Sequence, residues 1–201
     1  MAQFEGLQPG QTTEVEIEDV TAQGDGVGRK DGAVVFVTGG VPGDRVRARV
    51  RRVRRRHVEA VLDAMVRPSP DRVEPVCPHQ PVCGGCPLMV LDPAAALRAK
   101  VGHLEQTLRR VGRIEQPVTR TVPSPRSVEY RNRVAFAVMR AQGRDRIAFR
   151  GRWDPAEHVP IDRCHLVPET VSYAAQELLD TLAGSSRRGG RDPRPVRLEL
   201  R

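Results

Sequence analysis

Lysine is almost missing from this chain: Lys30 and Lys100 stand alone among 33 basic residues, and the rest are arginine. Aromatic residues make up only 3% of the sequence, too few for a base-stacking platform to be evident. Long apolar runs are absent as well. The longest, Ala33–Val37, falls far short of the roughly 20 residues that a membrane helix needs, which excludes a spanning helix and a membrane partner. Met1–Gly10 has neither a basic n-region nor an apolar h-region, so no secretory signal is read there and the cytoplasm is the expected compartment. In that setting four cysteines are expected as metal ligands or redox thiols rather than disulfides.

What is present is positive charge, a net +8 over 201 residues. This balance favours a polyanionic partner, nucleic acid first. The bland reading is a GC-rich genome that writes arginine wherever a solvated cation serves. With 39% hydrophobic and 29% charged residues the chain can build one large domain or two small ones, and wholesale disorder is excluded.

Residues 1–66 read as all β. Val15 and Ile17 alternate with glutamates in Thr12–Val20, Ala33–Val37 suits a central strand, and Asp44–Arg54 and His57–Val66 supply two more. Gly24-Asp-Gly-Val-Gly28 could be taken for a nucleotide loop, but a dinucleotide fingerprint opens a helix. Here the glycines lead into a strand and are expected in a β-turn or bulge, and Gly39-Gly-Val-Pro-Gly43 reads as a turn. Five short strands with Gly-rich turns predict a small OB-like barrel. Residues 67–91 are proline-rich and hold three cysteines, which predicts a ligand-bearing loop.

Residues 92–201 read as an α+β region. Asp92 and Pro93 start a helix over 92–111 whose stripe is Leu97, Val101, Leu104, Leu108 and Val111, with Gly112 to close it. Strands are expected at Val118–Val122, Val134–Val138 and Arg146–Phe149, the last two as a hairpin. A second helix is expected over 169–183 with Val171, Leu178, Leu179 and Leu182 inward, then a loop at Ser185–Pro195 and a strand at Val196–Leu200 that needs a partner.

Two groups of residues point to function. Arg45, Arg47, Arg49 and Arg51 alternate with Val46, Ala48 and Val50, so a strand sends the guanidinium groups to one face. Arg54, Arg55 and Arg56 extend the charge past a register change near Arg51 and Arg52. Phosphates would neutralise such crowding and give affinity without sequence readout; a solvated sheet face is the alternative. The second group is Cys77, Cys83 and Cys86, with Cys164 far downstream. Three local thiolates and one remote one suit an iron–sulfur cluster, while structural zinc favours paired knuckles. Zinc and free or disulfide cysteines stay open as alternatives. Gly84 and Gly85 let backbone approach a cluster, and His79 and His165 read as neighbours of ligands rather than ligands.

The Cys77-x5-Cys83-Gly-Gly-Cys86 loop with Cys164 resembles the 4Fe–4S loop of the bacterial RNA uracil-C5 methyltransferases. Gly24–Arg29, Val35–Val37 and Val41–Val46 are similar to that family's TRAM domain, an OB-like RNA-binding barrel, and Tyr130-Arg-Asn-Arg133 to its central-domain motif. Ile161-Asp-Arg-Cys164-His resembles the context of its fourth cluster ligand. The resemblance implies a 4Fe–4S cluster on Cys77, Cys83, Cys86 and Cys164, and RNA (ribosomal or transfer) facing Arg131 and Arg133. One local departure is Pro87-Leu-Met89, where the family often has Gln.

The family's Rossmann-type domain, with its cysteine nucleophile, general base and S-adenosylmethionine loop, has no counterpart in these residues. The expected organisation is a TRAM barrel at 1–66, an iron–sulfur loop at 67–91 and a truncated α+β domain at 92–201. S-adenosylmethionine would then be bound only if a catalytic domain is supplied elsewhere, for instance by a separate catalytic chain. A stand-alone RNA-binding protein, a zinc-binding module and one chain of a split methyltransferase are the rival readings.

Overall fold

The computed structural model describes residues 7–154, 156–185 and 196–200, the last as backbone. Five strands come first: β1 (Thr12–Val20), β2 (Asp25–Lys30), β3 (Ala33–Thr38), β4 (Arg45–Val53) and β5 (His57–Arg67). They close into a barrel in the order β1-β2-β3-β5-β4, antiparallel throughout except for the parallel β3–β5 pair. The period-two pattern explains why: Val15, Ile17, Val35, Val37, Val46, Ala48, Val50 and Val58 all point into one sealed core. The OB-like barrel is as expected.

The glycines of β2 serve contact, not nucleotide binding. A Cβ on Gly28 would lie 2.3 Å from the Glu16 carbonyl, and one on Gly26 2.8 Å from Ile17, so only glycine lets β1 and β2 approach this closely. The bulge lies on β1, between Ile17 and Asp19 opposite Gly28 and Val27. Gly24 takes the turn with φ +85°.

By its internal contacts the chain divides into two units. One is Met1–Pro75 with Pro87–Pro123; the other is Val76–Cys86 with Ser124–Arg201. The helix predicted from Asp92 therefore groups with the barrel's unit, and the cysteine loop with the downstream strands. In the first unit, α1 spans Pro93–Thr107, with the Asp92 carboxylate accepting hydrogen bonds from the N–H groups of Ala94 and Ala95. A wider π-type turn follows over Leu108–Gly112, and Arg113, not Gly112, takes the left-handed closing position at φ 54°. The expected stripe is only partly covered, with Leu97, Val101 and Leu108 half-buried. Within α1 only Ala95 is buried, beside Val41, Val90 and Leu91, while Leu104 and Val111 are 47% and 79% exposed.

Residues 118–122 do not form the predicted strand. Prolines 117 and 123 flank them, among the described residues no neighbour offers a ladder, and the Val118 N–H is taken by the Glu105 carboxylate at 2.9 Å.

In the second unit, β6 (Val134–Ala141) and β7 (Arg144–Arg150) form the expected hairpin, turned by Gln142 and Gly143 at φ 53° and 79°. β8 (His158–Pro160) adds to β7, and β9 (Val196–Leu200) finds its partner in β6, giving the order β8-β7-β6-β9. The loop expected at 185–195 lies largely outside the described residues. Helix α2 (Glu169–Ser185) starts where predicted and runs two residues past 183, and its buried face shares only Leu179 with the expected one. Ser172, Ala175 and Leu179 turn inward, while Leu178 and Leu182 are exposed and Val171 is half-buried. A serine inside the helix hid this face from a reading of apolar spacing. Its hydroxyl is occupied, accepting a hydrogen bond from the Cys164 N–H at 3.1 Å.

Among the described residues no helix is long and apolar enough to cross a membrane.

Candidate metal centre and nucleic-acid interface

All four cysteines fall in the second unit, and all are free thiols. The loop that carries three of them is pinned by backbone. The Cys83 N–H donates to the His79 carbonyl at 2.7 Å, the Gly84 N–H to the Arg150 carbonyl at 2.9 Å, and the Arg152 N–H to the Val82 carbonyl at 2.7 Å. A Cβ on Gly84 would press to 3.1 Å from the Gly151 carbonyl, which explains a glycine between two cysteines at this point. The Gly85 N–H donates to Cys83 Sγ at 3.5 Å.

Cys164 arrives from the segment before α2. Cys83 and Cys164 are buried, and Cys77 and Cys86 half-buried. Burial pushes the thiols of Cys83 and Cys164 upward, and that of Cys86 up to about 12. Repulsion from the other cysteines adds to each shift, so the remote Cys164 is electrostatically part of the loop's thiol group. Backbone N–H groups of Leu166 and Val167, and the Arg131 guanidinium, pull the Cys164 thiol the other way.

Among the described residues no three or more His, Cys, Asp or Glu side chains gather closely enough to hold one metal ion. A cluster distributes its ligands over several iron atoms, so its thiolates do not converge on one point. The donor set suits such a group in chemistry. It has four thiols, local N–H donors, and a buried amide, Gln80 Nε2, that lies in the Cys77–Cys83 loop without a hydrogen-bond partner. Cluster sulfides are acceptors of the kind such a donor lacks.

His79 and His165 lie close in sequence to the candidate ligands. His79 Nε2 accepts from the Asp162 N–H at 3.4 Å, and burial together with the Arg163 charge lowers the His165 pKa.

The arginine stripe is built as the alternation demands, with Val46, Ala48 and Val50 inside and Arg45, Arg47, Arg49 and Arg51 outside. The register shifts between Val50 and Arg52, so Arg51 sits on a bulge. The crowding of charge is not left to an external anion alone. Glu14 on β1 takes Arg45 at 2.8 Å, Asp63 on β5 takes Arg47 at 2.8 Å and also pairs with Arg49, and Glu59 takes Arg54 at 2.9 Å. The guanidinium hydrogen bonds hold the Asp63 and Glu59 carboxyls below their usual range, Arg49 contributing most at the first and Arg54 at the second. Two guanidinium groups share the single Asp63 carboxylate, and among the described residues Arg51, Arg55 and Arg56 have no carboxylate partner.

In the second unit, Arg131 and Arg133 are exposed just before β6. The Arg131 guanidinium lies 5.7 Å from the centre of the Tyr130 ring. Sequence reasoning passed over Arg152, Trp153 and Gln80, and named Tyr130 only as the first residue of the Tyr130–Arg133 motif. For Trp153 the available signal was a tryptophan beside an arginine in a Gly/Pro turn, Gly151-Arg-Trp-Asp-Pro155.

Residues 6–62 match the TRAM domain. The chain is 34% identical over 175 residues to the 23S rRNA (uracil(1939)-C(5))-methyltransferase RlmD of Bordetella avium, covering 86% of this chain and 37% of that protein. It is 35% identical over 181 residues to an uncharacterized RNA methyltransferase of Gloeobacter violaceus, covering 87% and 39%. Among solved structures it resembles the Pyrococcus abyssi tRNA (uracil-54, C5)-methyltransferase in complex with S-adenosyl-L-homocysteine, with a TM-score of 0.58, 28% identity, and coverage of 85% of this chain and 37% of that one. The chain thus spans under two-fifths of the length of these relatives. It carries a TRAM domain and is homologous over most of its own length to proteins of the RNA uracil-C5 methyltransferase family.

Proposed function

We propose that residues 1–201 are the RNA-gripping part of a cytoplasmic, S-adenosylmethionine-dependent RNA uracil-C5 methyltransferase, and that Cys77, Cys83, Cys86 and Cys164 hold a 4Fe–4S cluster. One observation carries the reading: the segment bearing a far-downstream cysteine meets the loop bearing three clustered ones, the Asp162 N–H donating to His79 Nε2 at 3.4 Å, within a chain related to RNA methyltransferases over most of its length. Bound to four thiolates, a cluster would cross-link the loop to the segment before α2 and offset the burial and mutual repulsion that disfavour the thiolates.

The protein's own residues then do the binding. Arg51, Arg55 and Arg56 meet RNA phosphates directly. Arg45, Arg47, Arg49 and Arg54 meet them by exchanging a carboxylate for a phosphate, and Arg131 and Arg133 contribute from the second unit. Their work is affinity and orientation, not base readout. Methyl transfer belongs to residues outside these, since it needs a nucleophile at uracil C6 and a bound methyl donor.

The test is anaerobic purification with metal and sulfide analysis. Brown protein with about four iron atoms and four labile sulfides per chain is expected. Colourless protein with stoichiometric zinc would overturn the cluster assignment. In the same preparation Cys164→Ser should lower both iron content and melting temperature, because the remote ligand ties two distant segments together.

A further inference from the structure

Seven aromatic residues are all this chain has, and its single tryptophan is not used in a core. Phe136 is fully buried against Phe149, and Phe36 packs edge-on against His57. Trp153 instead is 38% exposed, and the Arg152 guanidinium stands 5.8 Å from its ring centre. Tyr130 repeats the arrangement: 51% exposed, with Arg131 at 5.7 Å. Both distances fall within the roughly 6 Å of a cation–π contact.

Neither pair sits on a loose loop. The Arg152 N–H is fixed to the Val82 carbonyl inside the cysteine loop, and the Gly151 N–H to the Glu157 carbonyl at 2.8 Å. On the other side, the N–H groups of Glu129 and Arg131 donate to the carbonyls of His165 and Leu166 at 2.9 and 2.8 Å. Glu129 takes the left-handed conformation at φ 53° to allow this, and its carboxylate is held by Arg163. Each ring is therefore delivered to the surface by backbone bonded to a cysteine-bearing segment. A large aromatic ring left in water loses the stabilisation that burial would give it. Pinning it there beside a guanidinium gives a flat apolar face with a cation next to it, the two features that a nucleobase and its phosphate require.

We propose that Trp153 with Arg152, and Tyr130 with Arg131, are base-stacking positions for single-stranded RNA, each held by backbone bonded to a cysteine-bearing segment. The proposal rests on the RNA-binding reading above and adds to it. The barrel arginines recognise phosphate in any RNA, whereas these two rings accept only unpaired bases, because bases in a duplex are already stacked.

The single tryptophan makes the test local. The whole 201-residue protein is titrated with an oligouridylate of about a dozen nucleotides, within the span of common single-strand sites, and with an RNA duplex of the same length. Binding is followed by anisotropy of labelled RNA and by intrinsic tryptophan emission. The single strand should quench Trp153 and the duplex should bind with little quenching. Trp153→Ala should weaken oligouridylate about 5- to 150-fold, the range for losing one base–aromatic stack. It should leave duplex affinity and the melting temperature unchanged, and Trp153→Phe should recover most of the loss. Equal binding of both RNAs without quenching, and unaltered by Trp153→Ala, would overturn the stacking sites and leave the phosphate grip intact. Binding of neither RNA would overturn both readings.

Discussion

Asp63 decides how strongly the barrel presents its positive face. Its one carboxylate holds both Arg47 and Arg49, and it sits low in pKa because those guanidinium groups favour its charged form. A phosphate that binds either arginine must compete with it. Asp63→Asn keeps the shape and removes the competitor, so RNA affinity at a given salt should rise. The log–log salt slope should steepen by about 0.7 for each additional phosphate neutralised on a single strand. Unchanged affinity and slope would mean that Arg47 and Arg49 are committed to the fold and that Arg51, Arg55 and Arg56 carry the RNA. The same substitution has a pH signature. A carboxyl whose pKa is lowered by folding stabilises the protein above its unfolded value of about 3.9, and that contribution disappears as pH falls through the folded value. The variant should therefore show a shallower loss of stability below about pH 4 in acid titrations followed by circular dichroism.

Single elements in this chain depend on polar clasps as much as on apolar packing. Asp44, just before β4, is fully buried and accepts from the N–H of Val41 at 2.8 Å and of Ser69 at 2.9 Å. Arg72 completes the clasp with two hydrogen bonds to the same carboxylate, at 2.8 and 2.7 Å, and a third to the Gly39 carbonyl at 2.7 Å. The turn Gly39–Gly43 is thereby tied to the chain leaving β5. Gly43, at φ +88°, is required beneath it, since a Cβ would strike Ser69 Oγ at 2.8 Å. Removing one member of a buried, hydrogen-bonded ion pair costs about 3–5 kcal/mol, and Asp44→Ala should fall near the lower end because Arg72 keeps some access to water. Urea unfolding of the whole chain measures this. A change under about 1 kcal/mol would mean that water replaces the carboxylate without loss.

Taken whole, the chain has charge, a barrel and four cysteines, but it spans less than two-fifths of the relatives it matches. The four thiols are spoken for if they hold iron, and thiolates bound to iron are poor nucleophiles toward a pyrimidine. Purified protein of residues 1–201 is therefore expected to bind RNA and to transfer no methyl group from S-adenosylmethionine to unmodified ribosomal or transfer RNA. Transfer of labelled methyl groups is the assay. Turnover would show that one of the four cysteines attacks uracil and is not a ligand.

Period and punctuation make the barrel legible in the sequence alone. The alternation of Val46, Ala48 and Val50 with arginines fixes which face is inside, because a strand's side chains alternate whatever surrounds it. The Asp92–Pro93 start of α1 and the β6–β7 hairpin are legible for the same reason, being set by neighbours in sequence. Cysteine spacing marks the candidate ligands. The remaining features depend on interactions between distant residues. Val118–Val122 has strand-like residues but no strand pairs with it among the described residues, whereas Val196–Leu200 pairs with β6. The inner face of α2 turns on Ser172, whose burial is compensated by the Cys164 N–H, a bond that no helical periodicity encodes. The charge on the β4 arginines Arg45, Arg47 and Arg49 is offset by Glu14 on β1 and by Asp63 on β5, across two strand pairings. Exposure of Trp153 is likewise a tertiary outcome, because backbone bonds to the cysteine loop hold it at the surface. Local pattern settles which backbone conformations and faces are cheap; only packing settles which polar groups meet and which rings stay in water.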